Sequence, residues 1–143
     1  MKGDDLPQQD HISRYCKGTT CTEDGQITGA AFQLRQNEEY LSVNWLEYLR
    51  QPHREEEIPQ IRRILSSKLA LGHSARIAVL NVGQTISFVR DESPDGRNLR
   101  VLHNPEQDDP SHSGIYDLRH DDDLIAELIA EVVREVYPAR EPE

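Results

Sequence analysis

Apolar and polar positions alternate over His11-Ile12-Ser13-Arg14-Tyr15-Cys16, with Ile12, Arg14 and Cys16 on one side and Ser13 and Tyr15 on the other. A period of two with β-branched and aromatic residues predicts a strand. Ala30-Ala31-Phe32-Gln33-Leu34 reads as a second strand or extended segment, and Tyr40-Leu41-Ser42-Val43 as a third. Asn44 then caps a short helix holding Trp45, Leu46, Tyr48 and Leu49, which Pro52 ends. From here the period lengthens. Ile58, Ile61, Ile64, Leu65 and Leu69 fall at helical spacing, behind the acidic start Glu55-Glu56-Glu57, with Pro59 suited to a first turn and Gly72 as the stop.

Ala75-Arg76-Ile77-Ala78-Val79-Leu80-Asn81-Val82 is nearly continuous in apolar residues, which predicts a central strand buried on both faces. After the Gly83 break, Thr85-Ile86-Ser87-Phe88-Val89 extends the sheet as a strand or else forms a turn of helix, the strand being the preferred reading, and Leu99-Arg100-Val101-Leu102-His103 reads as another strand. Asp121-Asp122-Asp123 opens a last helix whose stripe of Leu124, Ile125, Leu128, Ile129, Val132, Val133 and Val136 runs through Tyr137 to Pro138. These elements predict an α+β fold: a single mixed sheet of about five or six strands packed against two main amphipathic helices. Residues 1–9 are expected to be a flexible N-terminal arm, 10–137 the domain, and 138–143 a frayed acidic tail.

The 143 residues suit one domain, large enough to bury roughly 68–70% of its unfolded surface without disulfides or a structural metal. The net charge of −10 is unevenly spread. Residues 1–50 hold five Lys/Arg and eight Asp/Glu, residues 51–100 eight and six, and residues 101–143 three and twelve, giving −3, +2 and −9. This balance argues against bulk nucleic-acid or anionic-lipid partners, which need clustered Lys and Arg. No apolar run suits a membrane span, and Met1-Lys2-Gly3-Asp4-Asp5 lacks a signal peptide's apolar stretch, so a cytoplasmic location is expected.

Phosphate-cradling glycine loops, a His-Glu-x-x-His helix and a Gly-x-Ser-x-Gly turn are all missing, and no cofactor is called for. Two polar clusters remain. One joins Arg14, Glu38, Glu39 and Ser42, provided the strands around residues 14 and 42 pair. The other is His103, Asn104, Asp109, His112 and Ser113, where His112 beside Asp108 or Asp109 is a candidate acid or base, or else a loop organiser bonded to nearby backbone. Ser42 alone, with no partnered base in its sequence neighbourhood, reads as a sheet residue rather than a nucleophile. Cys16 and Cys21 read as free thiols; with His103 and His112 they form a weak candidate metal set whose spacing matches no compact zinc finger.

The words Arg14-Tyr15, Ala31-Phe32, Glu39 with Leu41-Ser42-Val43, His103-Asn104-Pro105 and Asp109-Pro110-Ser111-His112-Ser113-Gly114-Ile115 resemble a recurring pattern in short bacterial proteins without an established activity. The resemblance spans roughly residues 10–118 and implies a bacterial, single-domain, cytosolic protein. It carries no catalytic residue over, and Asp109 stands where the pattern often has Asn. The chain order Arg, Glu, Ser is also similar to that of NAD-consuming RES-type toxins, although the surrounding residues do not match.

Two function classes follow. The first is an interaction or accessory protein, such as a subunit of a conflict or defence operon, whose acidic last third docks on a protein partner. The alternative is a small enzyme acting on a nucleotide or NAD-like ligand, with Arg14, Glu39, Ser42 and His112 in one pocket. That alternative requires Arg14, Ser42 and His112 to converge.

Overall fold

The computed structural model describes residues 2–141. Six strands form one sheet: β1 (His11–Cys16), β2 (Leu41–Trp45), β3 (Arg76–Asn81), β4 (Arg100–His103), β5 (His112–Tyr116) and β6 (Glu135–Pro138). Their spatial order is β4-β5-β2-β1-β3-β6, and every pairing is antiparallel, where a mixed sheet was expected. Three α-helices accompany it: α1 (Arg54–Ser66), α2 (Val82–Glu92) and α3 (Asp123–Glu131). The α+β class stands, with one helix more than expected.

The helices cover both faces of the sheet. Ile58, Ile61 and Leu65 of α1 pack with Ile77 and Val79 of β3. Ala78 and Leu80, pointing the other way, join Ile12, Val43, Ile115 and the apolar stripe of α3. Residues 77–80 are fully buried, as the continuous apolar run implies, and β3 lies between β1 and β6. No helix among the described residues is long and apolar enough to cross a membrane.

Several elements differ from the sequence reading. Thr85–Val89 belongs to α2, not to a strand. Asn81 caps that helix, its side chain accepting from Gln84 N at 2.8 Å, and Val82, Thr85 and Val89 form its buried stripe. Gly83 is no break: a Cβ there would lie 2.9 Å from Gln8 O, so the glycine admits the crossing N-terminal segment. The last helix ends at Glu131, well short of Tyr137. Val133, Glu135 and Tyr137 alternate with Arg134 and Val136, and Glu135–Pro138 of this β-branched and aromatic stretch pairs with β3 as an edge strand.

Ala31 and Phe32 lie in a 3-10 helix, Gly29–Phe32, rather than a strand. Asn44 and Trp45 finish β2 instead of opening a helix, leaving only the 3-10 turn Glu47–Leu49. Helix α1 stops at Ser66 rather than Gly72, and Pro59 lies beyond its first turn. In the segment expected to be a loose arm, Leu6 is buried, and its N–H bonds Val101 O at 3.0 Å, covering the outer edge of β4. Of the expected tail, Ala139 is buried with its N–H on Ala75 O at 3.0 Å, while residues 142–143 lie outside the described residues.

Candidate functional site

The sheet opens in its middle. β1 and β2 pair only at Ile12↔Trp45 and Ser13↔Asn44. Beyond that point β1 stays with β3 through Cys16, and β2 stays with β5 through Leu41. The two halves splay apart, and Arg14 reaches across the gap. Its Nε donates to Ala31 O at 3.0 Å and its Nη1 to Ser42 O at 2.8 Å. The strands that carry Arg14 and Ser42 therefore pair, as the first polar cluster requires, but not at those two residues, where the guanidinium bridges them instead.

A cavity of about 380 Å³ fills the splay. Arg14, Ser42 and His112 all line it, together with Lys68 from just beyond α1, Asn44, Glu106 and Asp109. The polar clusters around residues 14–42 and 103–113 become one site because β2 pairs with β5, setting Ser42 opposite Gly114 and Asn44 opposite His112. Glu39 is exposed and does not line the cavity; Glu38 takes that place, with its Oε1 accepting from Arg35 N at 2.9 Å.

His112 is oriented from both ends. Its Nδ1 lies 2.8 Å from Asn104 O, and since a carbonyl only accepts, Nδ1 carries the hydrogen. In the neutral ring Nε2 is then the acceptor, 3.2 Å from Ser42 Oγ, and the hydroxyl donates to it. The ring bonds nearby backbone, as a loop organiser would, and at the same time presents a base to Ser42. Among the described residues neither Asp108 nor Asp109 orients it by a side chain; Glu106 Oε2 lies 4.0 Å from Nδ1. Tyr40 packs edge-on against the imidazole, with ring centroids 5.9 Å apart.

Arg14 is the electrostatic feature of the cleft. Burial pulls its pKa below the ordinary guanidinium value, and the nearby negative charge of Glu38 offsets that only in part. The group stays charged, because arginine does not deprotonate in proteins. Among the described residues it takes part in no ion pair, and its two hydrogen bonds use two of five N–H groups. Lys68 is engaged instead: Nζ lies 2.8 Å from Glu106 Oε1 and 2.9 Å from Asp109 Oδ2. Lys17 and Arg35 sit exposed at the rim.

The candidate metal set does not assemble. No group of three or more His, Cys, Asp or Glu side chains among the described residues is arranged to hold a metal. His103 turns away from His112, its ring 5.2 Å from those of Trp45 and Tyr48 and its Nε2 on Pro110 O at 2.8 Å. Burial pushes the Cys16 thiol up to about 12, which makes it a poor ligand at neutral pH.

Asn44 and Lys68 escaped the sequence reading. One signal was present: in Leu41-Ser42-Val43-Asn44, Leu41 and Val43 enter the core, so Ser42 and Asn44 share the opposite face of β2. Nothing local marked Lys68. No protein-family model, curated protein or solved structure matches the chain.

Proposed function

We propose that the protein binds a small molecule carrying a phosphate or carboxylate group in the cleft between β1 and β2, with Arg14 as the anion anchor. One observation carries this reading: a half-buried guanidinium lines a cavity with three N–H groups uncommitted and, among the described residues, no ion pair. Withdrawing a charge from water without a partner is costly, and an anionic ligand supplies the missing partner. The volume of about 380 Å³ falls within the range of small-molecule sites, roughly 300–1,000 Å³. A nucleotide or NAD-like ligand belongs to this class, and so does a dicarboxylate.

Thermal shift of the full chain with inorganic phosphate, AMP, NAD and succinate tests it. A ligand at 100 times its Kd stabilises by about 2.7 kcal/mol, which corresponds to a rise of roughly 5–10 °C in a domain of this size. Arg14→Gln removes the shift, and Arg14→Lys, which keeps charge but loses the fork, retains part of it. A flat response across the panel, or an equal shift in Arg14→Gln, would overturn the reading.

A further inference from the structure

The geometry points to Ser42 as a nucleophile activated by His112, which makes the cleft an acyl-transfer site for an ester or thioester bearing an anionic group. This rests on the anion-binding reading for the choice of substrate, but the nucleophile has its own evidence. The hydroxyl, its base and the group orienting that base stand in series: Ser42 Oγ to His112 Nε2 at 3.2 Å, and His112 Nδ1 to Asn104 O at 2.8 Å. That is the nucleophile–base–orienter arrangement of covalent catalysis, with a backbone carbonyl as third member.

The pair is built into the sheet. Ser42 and His112 lie diagonally across the β2–β5 ladder, two rungs apart on the same face, so the strand pairing fixes their spacing. His112 is 4% exposed, closed in on its outer side by Tyr40, while Ser42 is exposed to the cleft. The base is therefore held in one tautomer and sheltered, and the nucleophile is open to a substrate. Arg14 donates to the carbonyl of Ser42 itself, which places the anion anchor beside the reacting hydroxyl.

In the first step the Ser42 Oγ–carbon bond forms as the Oγ proton passes to His112 Nε2. The carbon–oxygen or carbon–sulfur bond to the leaving group then breaks, and the departing alkoxide or thiolate takes that proton. Water repeats the sequence on the acyl-serine, releasing the carboxylic acid and restoring Ser42 and neutral His112. Phosphoryl transfer fits less well, because it spreads charge over three equatorial oxygens and calls for several free cations. Here Lys68 is held by Glu106 and Asp109, leaving Arg14, among the described residues, as the inner cation without an ion pair.

The test uses the full chain with a fluorophosphonate probe and two chromogenic esters, neutral p-nitrophenyl acetate and anionic mono-p-nitrophenyl succinate. One adduct is expected, located on the Ser42 peptide by mass spectrometry, with nitrophenolate release at least tenfold faster in kcat/KM for the anionic ester. Ser42→Ala, whose exposed side chain leaves the fold intact by circular dichroism, abolishes the adduct and lowers turnover by roughly 10²–10⁴. Arg14→Gln brings the ratio of the two esters toward one. Absence of an adduct and of turnover above buffer, or turnover indifferent to Ser42→Ala, would sink the acyl-transfer inference even if ligands still shift the melting temperature. Ser42-dependent turnover without anionic preference would uphold the nucleophile and remove the anion anchor.

Discussion

The side-chain amide of Asn44 donates to both carboxylate oxygens of Asp109, each at 2.8 Å, and so ties the floor of the cleft to the loop before β5. Ser111 Oγ adds a third bond at 2.9 Å, and Lys68 a fourth at 2.9 Å. Asp109 is 1% exposed, so its charge depends wholly on these partners. Lys68→Met strips away the compensating cation and leaves the carboxylate buried. Breaking one side of such a pair costs about 3 kcal/mol or more. Urea denaturation should show a lower midpoint at pH 7 with an unchanged m-value, and Asp109→Asn in the same background should recover much of the loss.

The same carboxylate sets an acid limit on stability. Burial pushes its pKa up, but the hydrogen bonds from Lys68, Asn44 and Ser111 together outweigh burial and hold it below the ordinary Asp value. A depressed folded-state pKa contributes stability that is fully present above the unfolded value near ~3.9 and is lost as pH falls through the folded one. Wild type should therefore exceed Asp109→Asn in stability at pH 6, and the gap should close as pH drops below about 4. Asp122 and Glu135 shift in the same direction, so the comparison is made as a difference between the two proteins.

Much of the scaffold was legible because single elements announce themselves locally. The 77–80 run needs two covered faces, and Ile58, Ile61 and Leu65 need one. The misread segments are those where two periods fit the same residues. Val132, Val133 and Val136 suit a helical stripe as well as a strand, and the free sheet edge beside β3 decides between them. Around Gly83, the glycine reads as a break until Gln8 is seen crossing it.

At the site, Arg14, Ser42 and His112 were each visible as residues, but their relation was not. No base stands near Ser42 in the sequence, because His112 lies 70 residues away and is brought in by the pairing of β2 with β5. The cleft itself has no local signature. It follows from β1 and β2 each preferring another partner after two shared rungs.

Gly114, opposite Ser42, is required by the packing around His112. A Cβ there would lie 2.5 Å from Tyr40 Cδ2 and 2.8 Å from Tyr116 Cε1, against two rings stacked at 4.9 Å. Gly114→Ala must displace Tyr40 and thereby unseat the edge contact on the imidazole. Overpacking of this kind costs typically 1–3 kcal/mol. The variant should unfold at lower urea. Ring contacts between Tyr40 and His112, read as nuclear Overhauser effects, should weaken in the folded protein.

The two thiols should separate cleanly in reactivity. Cys16 is 1% exposed on β1, packed in the main core, and burial raises its pKa to about 12. Cys21 sits half-buried in the following turn. Since the thiolate is the reacting species and must also be reached, a disulfide reagent at pH 8 should modify Cys21 within minutes and leave Cys16 untouched until the chain unfolds. One equivalent in native buffer and two in guanidinium is the expected titration. Cys21→Ser should remove the native-state equivalent. Two equivalents from the native chain would mean that β1 opens on the timescale of labelling, at the strand that carries Arg14.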